Sequence, residues 1–144
     1  RQMGADHTID FRELGDSRQR IAAVKDLTGG LGADVVVELV GSGEVINEGL
    51  RMLAWGGRYL EIGVFFTGTH FECDPGRLVA QNQRIEAVGA YDAASLQRGI
   101  EFLARNAERL PLDDVVVDYP LEAIDRAFSE QDSGLVKRAS LVMT

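Results

Sequence analysis

An α/β fold with a mainly parallel sheet follows from three observations in the 144 residues. Between Gly32 and Val64 an apolar run, an amphipathic stretch and a second apolar run succeed one another, with Gly41 and Gly63 closing the two runs. Helical and extended periodicities alternate along the rest of the chain, which is the pattern of strands joined by helical crossovers. The run Asp34 to Val40 is nearly continuous in apolar residues, as expected of a strand buried on both faces.

Each element has its own justification. His7 to Phe11 reads as a short strand. Asp16 or Ser17 caps a helix through Leu27, with Ile21, Val24 and Leu27 on one face and Gly29-Gly30 ending it. After the strand 34–40, a helix from Gly43 to Ala54 aligns Ile46, Leu50 and Leu53, and Gly56-Gly57 stop it. Arg58 to Val64 forms the next strand. Residues 65 to 77 read as a loop, and Ile85 to Gly89 as another glycine-closed strand. Leu96, Ile100 and Leu103 mark a helix from Ala93 to Asn106. Val115 to Val117 is a short strand, Pro120 opens a helix whose face is Leu121, Ile124 and Phe128, and Lys137 to Met143 is a closing strand.

Composition narrows the function classes. A hydrophobic content of 45% fits a globular domain, and a net charge of −8 argues against nucleic acid and against an anionic membrane surface. No apolar run reaches the roughly 20 residues of a spanning helix. The single cysteine, Cys73, rules out an internal disulfide and a Cys-rich zinc site, and points to a reducing cytoplasm. His70 and Cys73 stand three apart, but zinc needs three or four ligands and no second pair exists. Leu60-Glu61-Ile62-Gly63 echoes the first motif of S-adenosylmethionine-dependent methyltransferases, but the Gly-x-Gly that should follow is replaced by Val64-Phe65.

Glycines at the carboxyl ends of parallel strands let a ligand approach the backbone, and that end of an α/β sheet is where cofactors bind. No Gly-x-Gly-x-x-Gly is present, and Arg1-Gln2-Met3-Gly4-Ala5-Asp6 looks like the end of a helix running into a strand, as if the sequence began inside a fold.

The order of motifs resembles the medium-chain, zinc-type alcohol dehydrogenases. The similarity is carried by Gly4-Ala5-Asp6-His7, by Thr28 to Asp34 with the valines that follow, and by Glu38-Leu-Val-Gly41. Leu53-Ala-Trp-Gly-Gly-Arg58, Ile62-Gly63-Val64, Pro120 to Phe128 and Ser133 to Arg138 continue it to the end of the chain. The resemblance implies a partial Rossmann-type, doubly wound parallel sheet lacking its first two strands. Residues 1–110 would form an incomplete dinucleotide-binding domain, and residues 111–144 a segment belonging to an absent catalytic domain. It implies hydride transfer between an alcohol and the nicotinamide of NAD or NADP, with NAD favoured, and a zinc held only by the longer protein. The substrate would be a small alcohol, aldehyde or ketone. A zinc-independent quinone or enoyl reductase of the same superfamily, and a non-catalytic association fragment, stand as alternatives.

Carried over position by position, the resemblance places Val40 and Gly41 near the cofactor ribose, and Ile62, Gly63 and Val64 along the nicotinamide. Val88 and Gly89 fall near the carboxamide, and Arg138, or Lys137 by a shift of register, near the pyrophosphate. Singly, each of these glycines has an equally good reading as a turn, and Val40, Ile62 and Val88 as plain core. No residue of this chain is expected to be catalytic or to bind metal. In a sheet of order 3-2-1-4-5-6 the third strand would lie about 14 Å from the fourth with nothing between. The fourth, Val35 to Val40, would expose an apolar edge, so the chain made alone is expected to be marginally stable or to form homo-oligomers through sheet edges.

Overall fold

The computed structural model describes residues 3–64 and 67–143. Arg1, Gln2 and the first two residues of the expected loop, Phe65 and Phe66, lie outside the described residues. The chain divides into two compact units, one of Thr8–Ala90 and one of Arg1–His7 with Tyr91–Thr144.

The first unit is a three-stranded sheet with helices. Asp16 accepts from the Arg18 amide and starts α1 (Ser17–Leu27). Strand β1 (Ala33–Glu38) leads to α2 (Gly43–Met52), which Ser42 caps, and then to β2 (Leu53–Glu61). Helix α3 (Pro75–Gln81) and β3 (Arg84–Ala87) complete it. The strands lie in the order β1-β2-β3, and both pairings are parallel. The sheet, the crossover helices and the strand-closing glycines thus follow the α/β reading.

The core sits on one face of that sheet. Ile46 and Leu50 of α2 pack with Leu53 and Tyr59 of β2, and Val36, Val64 and Leu78 cover the margins. Val35 and Val37, pointing to the other face, are 41% and 47% exposed. The expectation of a strand buried on both faces is therefore corrected: α2 and α3 pack on one face, and Val35 and Val37 on the other are exposed among the described residues.

Four boundaries differ from the sequence reading. Thr8 to Asp10 have no regular structure, so the strand expected over His7–Phe11 does not form; no backbone neighbour pairs with it, and an isolated strand is unstable. Leu53 begins β2 instead of ending α2, and Gly56-Gly57 lie inside that strand. There Leu53 pairs with Ala33 and Arg58 with Val35, so four residues, Ala54–Gly57, stand opposite Asp34 alone. The irregularity leaves Trp55 exposed while Ala54 and Gly57 stay buried. The end of the expected loop, residues 75–77, instead starts α3, with Asp74 accepting from the Arg77 amide, Pro75 in the first turn and Asn82 in the left-handed conformation at its end. Pro120 both closes a strand and caps a 3-10 turn, Leu121–Ala123, that leads into a helix from Ile124, so the helix expected after it begins with that turn.

The second unit holds α4 (Ala93–Asn106), β4 (Val116–Pro120), α5 (Ile124–Asp132) and β5 (Arg138–Val142). Strands β4 and β5 pair in parallel as a separate sheet. Tyr119 and Ala127 are its buried apolar residues, and the Tyr119 hydroxyl donates to Glu130 at 2.5 Å.

Candidate functional site

The carboxyl ends of β1, β2 and β3 lie side by side, and the backbone ties them together. Ile62 and Gly63 amides donate to the Glu38 carbonyl at 3.3 and 3.0 Å, and the Val88 amide donates to the Glu61 carbonyl at 2.9 Å. Val40–Gly41, Ile62–Gly63–Val64 and Val88–Gly89 are thereby brought to one rim of the sheet. Arg138 starts β5 in the other compact unit and is exposed there.

The glycines of this rim divide by physical cause. Gly41 has φ +82°, and a Cβ on it would lie 2.7 Å from the Gly63 carbonyl oxygen. A Cβ on Gly63 would lie 2.6 Å from the Gly41 nitrogen and 2.5 Å from a Glu38 carboxylate oxygen. The chain itself demands both glycines, because the turns after β1 and β2 touch through their backbones. Gly89 has neither a positive φ nor any neighbour within 4 Å of an added Cβ. Nothing in the described chain requires glycine there. Val40 and Val88 are exposed beside these turns, and Ile62 and Val64 are half-buried.

Two residues that the sequence reading passed over shape this rim. Glu38 is 4% exposed, the one buried charged residue among the described residues. Its Oε1 accepts from the Val40 amide at 2.5 Å and the Gly41 amide at 2.7 Å. Glu61, its register partner on β2, accepts from the Val64 amide at 3.0 Å. Burial works against the ionised form of Glu38, yet the Gly41 amide, a hydrogen bond from Glu61 and the Val40 and Gly63 amides outweigh it and hold its carboxyl below the usual range. Glu61 is pushed the other way, by burial first and by its bond to Glu38 and that group's charge, with the Val64 amide opposing. The available signal was a glutamate ending each apolar run, in Glu38-Leu-Val-Gly41 and Glu61-Ile-Gly63, where an unpaired charge is costly.

An apolar groove of about 450 Å³ runs along β1 between α1 and α2, lined among others by Val36, Val37, Val40, Val45 and Met52. Arg20 and Glu48 at its border form a two-pronged ion pair, 2.6 Å on each prong. Among the described residues no three His, Cys, Asp or Glu side chains converge to hold a metal ion; His70 and Cys73 are both exposed.

Comparison with known proteins places the chain in a family. The sequence pattern of the zinc-binding dehydrogenases matches residues 1–105. The chain belongs to that family, the zinc-type medium-chain alcohol dehydrogenases. It is 32% identical over 133 residues to an erythritol/L-threitol dehydrogenase of Mycolicibacterium smegmatis, covering 91% of this chain and 34% of that protein. It is 37% identical over 90 residues to mouse quinone oxidoreductase-like protein 2, covering 62% of this chain and 23% of that protein. An alcohol dehydrogenase of Thermotoga maritima superposes with a TM-score of 0.87 at 25% identity, over 99% of this chain and 39% of its own. A zinc-binding domain protein of the alcohol dehydrogenases from Burkholderia ambifaria gives 0.85 at 29%, over 98% and 37%. The chain thus spans about a third of these relatives' length and has the fold of their C-terminal, Rossmann-like part. As a member of this zinc-type dehydrogenase family it is a segment of a medium-chain dehydrogenase/reductase.

Proposed function

We propose that the rim formed by the three strand ends receives the nicotinamide side of NAD or NADP in a dehydrogenase that oxidises a small alcohol or reduces the matching carbonyl. The observation that carries this reading is Gly89, a glycine that neither the backbone conformation nor the packing requires. It lies at the carboxyl end of a parallel strand, where α/β sheets bind cofactors. The rim residues fit such a group: exposed backbone at Gly41 and Gly89, flanked by apolar Val40, Ile62, Val64 and Val88.

Val40–Gly41, Ile62–Gly63–Val64 and Val88–Gly89 would hold the dinucleotide, whose nicotinamide would supply hydride chemistry at C4, while a zinc held by other parts of the longer protein would polarise the substrate oxygen. The contribution of this chain is positional. Ile62 and Val64 pack along one ring face and exclude water from it, which selects the face from which hydride moves. Gly63 lets the turns after β1 and β2 approach each other closely enough to bring these residues to one rim. Val40–Gly41 meets the ribose and the Val88–Gly89 backbone the carboxamide; in the other unit, Arg138, or Lys137, is by the family resemblance the candidate for the pyrophosphate. Residues 111–144 belong with the catalytic domain of the longer protein, and the NAD form is favoured.

A second reading has a specific support: the 37% identity to a protein named for quinone oxidoreduction. In that case no zinc takes part and the hydride goes to a conjugated double bond. Both readings use the same rim.

The test is Gly89→Ala with NADH fluorescence as the readout, in the longest form of the protein that carries this chain. Stability should be unchanged or rise by about 0.4–1 kcal/mol, because alanine restricts only the unfolded chain, while NADH affinity should fall about tenfold or more. Equal NADH affinity in the variant would remove the observation on which the reading stands.

A further inference from the structure

Glu38 and Glu61 occupy matched positions in adjacent parallel strands, so their side chains project from the same face of the sheet. Each spends Oε1 on backbone amides of the turn that follows its own strand. The Oε2 of each is buried and meets no N–H or O–H donor. The two carboxyl groups stand on register-matched positions, and each biases the other's ionisation, Glu38 being held low and Glu61 pushed up. Two buried carboxylates on neighbouring strands repel one another, and a single proton between them would satisfy both orphaned oxygens.

No neighbouring group takes over that task. From β2, the Tyr59 hydroxyl is buried without a partner, and its own ionisation is suppressed by burial and by Glu61 and Glu38. From α1 and α2, Arg20 and Glu48, which line the groove that Glu38 also lines, are closed on each other. From β3, Arg84 and Glu86 register with Arg58 and Leu60, so their side chains point to the face opposite Glu61. Arg77 of α3 is directed to the Leu50 carbonyl at 3.5 Å.

We propose that Glu38 and Glu61 share one proton and act as positioning residues, clamping the turns Val40–Gly41 and Ile62–Gly63–Val64 against each other. The functional weight of the clamp rests on the reading that these turns face the dinucleotide. Glu38 is the ionised partner, because backbone amides converge on it; Glu61 carries the proton. Glycine at position 63 is part of the device, since any side chain there would strike Glu38 Oε2.

The clamp has a pH window. Glu61 has a raised carboxyl, so its stabilising contribution is complete below the ordinary glutamate range and is lost as pH rises through the raised folded value. Glu38 has a lowered one, so its contribution is present above the ordinary range and is lost as pH falls through the lowered value. Between the two, the turns are held.

The experiment is a ¹³C NMR titration of the glutamate side-chain carboxyls in this chain, from about pH 3 to about pH 9. The amides of Val40, Gly41 and Val64 are followed in the same samples. The expected result is two coupled carboxyl titrations flanking the ordinary glutamate range, with the three amides moving alongside the upper step. Glu61→Gln supplies a permanent N–H to Glu38 and keeps an acceptor for Val64. It should remove the upper step and make Val64 amide exchange about tenfold slower than in the unsubstituted chain above that step. Independent, ordinary titration of the two residues overturns the proposal, a result that requires no variant to fold. So does a Glu61→Gln protein whose three amides follow the original pH course. NADH fluorescence separates this from the functional reading: coupled carboxyls with no NADH binding at any pH, in the longer protein, would leave the clamp standing and remove its cofactor.

Discussion

Helix α2, of 10 residues, turns Ile46, Gly49 and Leu50 into the core against Tyr59. Helix α4, of 14 residues, is started by Asp92, which accepts from the Ser95 amide at 2.7 Å, yet buries no residue. Its Leu96, Ile100, Phe102 and Leu103 are all exposed. Both sequences place apolar residues at helical spacing. The difference teaches that periodicity establishes a helix and its apolar face, while what covers that face is a property of the surroundings. The energetic consequences of substitution should therefore diverge sharply between the two.

The largest effect should come from the core beneath α2. Tyr59→Ala should cost about 3–5 kcal/mol in urea unfolding monitored by circular dichroism, the usual loss for a buried aromatic ring. A cost near zero would mean that this core does not hold the first unit together. Gly49→Ala comes next. Its Cβ would lie 2.5 Å from Tyr59 Cε2 and 3.2 Å from Val36 Cγ1. The overpacking should cost about 1–3 kcal/mol in the same unfolding experiment. Tyr59→Phe sharpens the point in the opposite direction. It deletes a buried hydroxyl without a partner, so stability should be unchanged or rise by about 1 kcal/mol.

Helix α4 should respond only locally. The Asp92 carboxyl is held below its ordinary value by the Ser95 hydroxyl and amide. Its capping contribution is thus present above the ordinary aspartate range and lost as pH falls through the lowered value. Asp92→Ala should abolish that acid step in amide exchange of the first turn of α4 while leaving Tyr59 protected. Leu103→Ala should be the smallest of all, within about 0.5 kcal/mol of the unsubstituted chain. A loss of several kcal/mol at Leu103 would show that α4 is covered after all.

Much of the architecture was legible where a local signal coincided with a tertiary partner. The bounds of α4 follow its spacing, and α1 follows its aspartate cap. The short helix α3 was missed although Asp74, Pro75 and Asn82 bracket it, because seven residues offer too few apolar positions to show a period. Gly56-Gly57 look like a helix stop, but the bulge they create becomes visible only when β2 is laid beside β1. In the site, Val40–Gly41, Ile62–Gly63–Val64 and Val88–Gly89 could be located because glycine after an apolar run is a local mark. Glu38 and Glu61 were not singled out, since a glutamate's burial and its neighbour across the sheet are not written in its own segment.

Residue order by itself determined the family, the alternation of parallel strands with helices, and the glycines at the strand ends. These depend on short-range patterns: apolar period, capping groups and backbone freedom. Tertiary structure alone decided that β1 is covered on one face and that His7–Phe11 remains irregular, because both depend on what lies alongside. It also decided which glycines the chain needs for itself. Gly41 and Gly63 are required by backbones that touch across two strands, whereas Gly89 faces open space, a distinction that contacts between distant segments create and spacing along the chain cannot.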